Sequence, residues 1–397
     1  MSTSLTFGFV FLLAVLLSYF TVSICKFTPL NIRLPTGRRA GHIDGLRGYL
    51  ALMVASHHYF IFYGWLQNGR WAAPDINFIN NCGKVAVCLF FIITGYLFIG
   101  KVYKSKIEPG GISWLRIFTS RIFRIFPLYL LAVIVTVLYM FIKHDFKMNV
   151  SLAEFASEIT HWLFYFGETI NGDPHAQKVT AGVTWTLKYE WLFYLSLPLL
   201  AVFFNSRLTT ILITTVAIYL YFSGLHFGVI YSNYIIFFVL GGFTFAIEQR
   251  YGDALRASMA SAWVSVIGLV AIVLVIFFTK DPLGPLGALC MLVFFVPVVM
   301  GNSIFGVLSG SGAIKLGEIS FSLYLLHGIV FYTVLVFFID KSMIGGMNSY
   351  LMFMPLGMVV LVIISLMTYK GIEKPFIDFG RQLANGKVFR SGVSKAR

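Results

Sequence analysis

Apolar runs long enough to cross a bilayer recur along almost the whole chain, and no other feature limits its fold as strongly. Eleven can be marked, at residues 5–24, 46–63, 84–101, 125–142, 183–204, 208–224, 229–248, 261–278, 284–300, 319–339 and 350–371. About 20 apolar residues in a helix span a hydrocarbon core, and within lipid only helices and closed barrels satisfy their own backbone. These runs are too long and too uniformly apolar for barrel strands. The expected class is all-α, a polytopic integral membrane bundle of about eleven transmembrane helices. Charged residues make up only 12% of the chain, against about 25% in soluble domains. That composition excludes a soluble protein with a large core.

The net charge of +14 would suggest a nucleic-acid partner in a soluble protein. Here the basic residues gather in loops and in the tail, so the positive-inside bias accounts for them and no nucleic acid is expected. No Lys or Arg precedes the first run, while Lys26, Arg33, Arg38 and Arg39 follow it. A cleaved signal shows the reverse order, so residues 1–25 read as an uncleaved N-terminal anchor whose N-terminus lies outside. Lys101, Lys104, Lys106, Arg116, Arg121 and Arg124 then fall on the cytoplasmic side. A basic tail at 377–397 falls there too, with Arg381, Lys387, Arg390, Lys395 and Arg397. The long external loop 143–182 is richer in acids, and its stretch 159–166 is too short to cross and reads as an interfacial or re-entrant piece. Cys25, Cys82, Cys88 and Cys290 show neither disulfide-framework nor metal-site spacing.

Ionisable groups inside apolar spans are costly and so mark candidate sites. His57 and His58 are adjacent in the second run, about 100° apart around a helix, so they are not expected to share one role. His58 lies eleven residues beyond Arg47, roughly 16 Å along the axis. Glu190 enters from the opposite side to a comparable depth, and Trp185 heads the same segment. Tyr324 and His327 share a helix face, as do Arg121 and Arg124. Two such arginines suit bidentate contact with an anionic group such as phosphate. Each group also has a plainer reading: interhelical hydrogen bonds for the histidines, Tyr324 and Glu190, and a positive-inside stop for the arginines. Phosphate-loop, HExxH and GxSxG signatures are not found, and Gly310-Ser311-Gly312 reads as loop.

Six segments resemble, in order, the motifs of the acyltransferase-3 family of membrane proteins. They are Ile43-Asp44-Gly45-Leu46-Arg47-Gly48 followed by His58, Phe90–Tyr96, Arg121–Tyr129, Trp185–Glu190 with Phe193-Tyr194, Ser322–His327, and Ile372-Glu373-Lys374-Pro375-Phe376. Together they cover roughly residues 42–376. Thr94 stands where the family usually has Ser, and Cys88 where many members carry an acid.

The resemblance implies a ten-helix core at 40–376, with the N-terminal span as an addition. It implies a cytoplasmic acyl donor, acetyl-CoA, and no metal. It implies a glycan acceptor, free or lipid-linked, on the outer side, with lipopolysaccharide O-antigen the expected example, and a bacterial inner membrane location. Arg47, Arg121, Arg124 and Lys101 would hold the donor phosphates. His58 would act on the acceptor hydroxyl with Glu190 orienting it. Asp44, His57, Tyr324, His327 and Trp185 are supporting or acceptor-site candidates. Three chemistries stay open at this point: His58 as base, Glu190 as base, or His58 as acyl carrier. Acyl transfer to another acceptor and membrane transport are the competing functions.

Overall fold

A computed structural model describes residues 3–32, 34, 41–72, 76–107, 111–203, 207–227, 230–338 and 344–385. Arg33, Arg38 and Arg39 and the tail residues Lys387, Arg390, Lys395 and Arg397 lie outside the described residues. The body of every apolar run is helical. The helices are α1 (Thr3–Ile24), α2 (Gly41–Asn68), α3 (Asn77–Ile107), α4 (Trp114–Lys143), α5 (Leu152–Leu163), α6 (Ala176–Val179), α7 (Trp185–Phe203) and α8 (Arg207–Ser223). After a two-residue ribbon, His226–Phe227 with Ile230–Tyr231, come α9 (Ile235–Met259), α10 (Ala262–Phe278), α11 (Pro285–Val299), α12 (Ser311–Glu318) and α13 (Ser320–Thr333). The chain ends in α14 (Met347–Leu351), α15 (Met354–Thr368) and α16 (Lys374–Ala384). π-helical turns at Val334–Phe338 and Tyr369–Glu373 extend α13 and join α15 to α16.

The fold is thus an all-helical membrane bundle. Length and apolar composition alone qualify five helical stretches to cross a bilayer: Thr3–Phe27, Asn77–Lys106, Trp114–Lys143, Ser320–Phe338 and Met347–Ala384. A sixth is the pair Ser232–Met259 and Ala262–Phe278 if taken as one span, although it bends by 104° at its break. The count of eleven crossings exceeds what these criteria reach. α2 has the length but carries Asp44, Arg47, His57 and His58, and α11 has only 15 residues.

Several boundaries move from their sequence positions. α4 begins at Trp114, where the Ser113 side chain caps the first turn by accepting from the Arg116 N–H. Arg116, Arg121 and Arg124 are therefore helical residues and not loop residues. α9 runs on to Met259 through a segment expected to be a loop. Ser311-Gly312 opens α12, a helix where loop chemistry was expected. The 159–166 stretch does not cross: its first residues end α5, a 12-residue helix, and the chain then turns at Tyr165 with φ 67°.

α2, α3 and α13 form the centre. α3 packs along α9, α2 against α12 and α13, and α1 lies outside on α15 and α12. Lipid offers helices no hydrophobic drive to associate, so close backbone approach matters more. A Cβ at Gly95 would lie 2.1 Å from the Phe238 carbonyl, and one at Gly241 2.1 Å from that of Ile92. These glycines let α3 and α9 touch, which explains the Thr94-Gly95 step in structural terms. Asn81 ties α3 to the end of α10 by donating to the carbonyls of Val275, Ile276 and Thr279.

Candidate functional site

A cavity of about 470 Å³ opens between α2, α3, α4, α7 and α13. Arg47, Lys101, Arg121 and Arg124 line it together with Glu190, Thr186 and Tyr324. The structure thus gathers all four basic residues singled out in the sequence around one space. They come from three helices. α2 contributes Arg47, held by buried Asp44 at 3.5 Å, α3 contributes Lys101, and α4 contributes the two arginines one turn apart. Asp44 is therefore a support for Arg47. The Arg121 guanidinium sits 5.0 Å from the Phe98 ring, and its Nε is enclosed without an acceptor.

Glu190 accepts a 2.7 Å hydrogen bond from Tyr194, one turn on along α7. Tyr194 also meets Arg121. The carboxylate is thus tied through a phenol to the cationic wall. Spacing i, i+4 on α7 carried the signal for Tyr194, which the sequence reading quoted only as part of a motif. Phe90, Phe91, Val87, Leu97 and Phe98 complete an apolar lining. Trp185 points elsewhere, packing edge-on against Tyr189 (5.5 Å) and tilted against Tyr234 (5.1 Å).

The histidines separate as their 100° offset requires. His57 turns to α3, its Nδ1 3.0 Å from the Ile79 carbonyl. His58 turns to α13, its Nδ1 3.1 Å from Nε2 of His327. His327 is fully buried, and His58 is partly exposed. The neighbour of His58 is therefore His327 and not Glu190. Equal depth brought Glu190 and His58 to one level, but their helices present them to different partners.

The histidine pair sits just beyond the cavity. Tyr324, a lining residue, has its ring 6.2 Å from that of His327, which lies 4.9 Å from that of His58. The Tyr324 hydroxyl meets that of Thr186 at 2.8 Å, so the two side chains form part of the cavity wall together. Neither His58 nor His327 lines the cavity itself.

Glu373 entered the sequence analysis only as part of a motif segment, with no role assigned. It closes the π-helical turn, is 1% exposed, and accepts from the Ser322 hydroxyl on α13. Thr368 donates in turn to Ser322 at 3.2 Å. The Ile372–Phe376 and Ser322–His327 segments thus meet. The available signal was a carboxylate ending an apolar run directly before Lys-Pro. Cys88, where an acid is common in the family, is buried in α3.

The family model of the acyltransferase domain, acyltransferase-3, matches residues 41–370. The chain belongs to this family. It is a membrane acyltransferase. The matched region begins with α2 and leaves α1 outside it. No curated protein and no solved structure matches the chain.

Proposed function

We propose that this acyltransferase moves an acetyl group from acetyl-CoA to a hydroxyl of a surface polysaccharide, lipopolysaccharide O-antigen being the first candidate. The observation that carries the reading is the cavity: four basic side chains and apolar walls around one space, with a histidine pair one helical turn past its Tyr324 wall. Guanidinium groups suit the donor phosphates, which they grip bidentately. The pantetheine arm would run along Phe90, Phe91 and Val87 toward Tyr324. The positive-inside bias supports a cytoplasmic entry for the donor and a periplasmic approach for the acceptor, with the N-terminus periplasmic, in a bacterial inner membrane.

In this reading Nε2 of His58 takes the proton of the acceptor hydroxyl as its oxygen attacks the thioester carbon. The C–S bond breaks, the O-acetyl ester forms, and the imidazolium returns the proton to the departing CoA thiolate. Imidazole fits the task because it can hold or release a proton near neutral pH. Glu190 suits a base poorly, since its carboxylate is engaged by Tyr194 next to Arg121. Its role is to hold the cationic wall in place.

The test is His58→Ala assayed in membrane vesicles with labelled acetyl-CoA, alongside mass spectrometry of surface glycans. A loss of at least ~100-fold in transfer, with normal insertion, is expected for removal of a general base. Unimpaired acetylation by the variant refutes the assignment. A glycan whose mass is the same with and without the protein removes the polysaccharide as acceptor.

A further inference from the structure

The geometry points to His327 as a positioning residue that fixes the tautomer of His58 and leaves its Nε2 as the working nitrogen. This inference rests on the reading of His58 as the base. Three contacts determine it together. Nδ1 of His327 lies 3.3 Å from the Leu323 carbonyl, Nδ1 of His58 lies 3.0 Å from the Val54 carbonyl, and Nε2 of His327 faces Nδ1 of His58 at 3.1 Å. Carbonyl oxygens only accept, so both Nδ1 atoms carry hydrogen. Nε2 of His327 is then a lone pair that accepts from His58, whose single Nδ1–H is shared between it and the Val54 carbonyl, and no contact sets two acceptors face to face. The opposite assignment, with His327 donating through Nε2, leaves the Val54 and Leu323 carbonyls each facing a lone pair. A neutral His58 protonated on Nδ1 has its basic lone pair on Nε2, the nitrogen with no hydrogen-bond partner among the described residues.

The ring of His327 is also held still. The next residue, Gly328, approaches the 180–183 turn so closely that a Cβ would lie 2.4 Å from the Ala181 nitrogen. One turn earlier Tyr324 is tied to Thr186 and to the Val183 carbonyl. α13 is thus pinned on both sides of His327. During transfer His58 becomes an imidazolium, and its Nδ1–H bond to His327 strengthens without a proton moving to His327. His327 does for His58 what an orienting carboxylate does in a triad, but adds no charge to the apolar interior.

The experiment compares His327→Leu and His327→Gln in vesicles, with His58→Ala and the double variant. Leu fills the space but accepts nothing, whereas the Gln Oε1 can accept from His58 Nδ1–H. We expect Leu to lower kcat by ~100-fold or more with KM for acetyl-CoA unchanged, and Gln to stay within ~10-fold of wild type. In the His58→Ala background, His327→Leu adds no further loss, since it acts through His58. A fully active Leu variant, or equal losses for Leu and Gln, overturns the proposal. If Leu does not fold, His327→Gln carries the test alone: activity near wild type supports it, and a loss as deep as that of His58→Ala overturns it. Full activity of His58→Ala defeats the reading of His58 itself, an outcome distinct from an inactive His58→Ala beside an active His327→Leu.

Discussion

The two ends of α4 carry charge in opposite ways. At its C-terminal end, charge is consumed by the protein. Asp173, buried, accepts from Lys143 at 2.6 Å, from His144 at 2.9 Å and from the His175 N–H at 2.8 Å. Glu158 accepts from the N–H groups of Asn171 and Gly172 at 2.6 and 3.1 Å, and the Asn171 side chain reaches Lys147 and Asn149. At the N-terminal end, Arg121 and Arg124 share a cavity wall with Lys101 and Arg47, and Glu190 is the one acid in the lining. Charge that is already matched holds a loop in place. Charge on a cavity wall can meet an anion, even where, as at Arg47, a carboxylate already holds the side chain. The distinction separates architecture from site, and the number of charges at each end does not reveal it.

The largest expected effect breaks the comparison at the cavity end. A double variant, Arg121→Ala with Arg124→Ala, removes two charge-assisted contacts, each worth about 1.5–3 kcal/mol. KM for acetyl-CoA should rise by at least ~10–100-fold, while the thermal midpoint of the purified protein changes little. If the variant instead unfolds and binds donor normally once refolded, the arginines belong with the structural charges.

Asp173→Asn makes the complementary cut. It removes the charge and one of the two acceptor oxygens at the centre of the loop network and should cost about 1–3 kcal/mol of stability, read as a lower melting temperature, with KM for the donor unchanged. Its pH dependence is also set. Burial pushes the Asp173 carboxyl up, but hydrogen bonds from Lys143, the His175 N–H and His144 outweigh it and hold it below the ordinary 3.8. A carboxyl depressed in the folded state contributes stability that is complete above 3.8 and disappears as pH falls below it. Hydrogen exchange in residues 143–175 should therefore quicken in that acid range for wild type and far less for Asp173→Asn. Equal acid sensitivity in both proteins would assign the effect to other groups.

Much of this was legible from residue order, and what was not has identifiable causes. Long apolar runs announce helices because lipid leaves the backbone no alternative. Helix ends were less legible. α9 continues past its apolar stretch through Glu248, Arg250, Asp253 and Arg256, and α12 is too short and too glycine-rich to show a period. The Arg121–Arg124 pair was readable because three residues along a helix means one face, whereas Arg47 and Lys101 were pointed to by the family resemblance. The neighbour of His58 was not, because counting residues gives depth along a helix but not the direction in which a neighbouring helix is turned. Depth alone pointed to Glu190, and the packing of α13 against α2 brought His327 instead. Glu373 was hidden for a related reason, since its burial depends on Ser322, 51 residues away.

The smallest expected effect sharpens the boundary between the two kinds of charge. Lys178 lies 5.4 Å from the Trp65 ring centroid, so the loop end of α4 also meets the C-terminal end of α2. It feels the Asp173 carboxylate only at longer range and rests on a ring face. A cation over an aromatic ring at a partly exposed site is worth about 0.5–1 kcal/mol. Lys178→Ala should therefore lower the melting temperature by less than Asp173→Asn and leave both kcat and KM unchanged. A loss as large as that from Asp173→Asn would mean that the 143–182 segment is held by its overall balance of charge and not by particular pairs. In that case high salt should loosen the whole 143–182 segment, because exposed charges are screened beyond about 10 Å at 0.1 M. Pairwise control predicts that the same salt leaves exchange near Asp173 almost untouched, since its partners sit within 3 Å of a buried carboxylate.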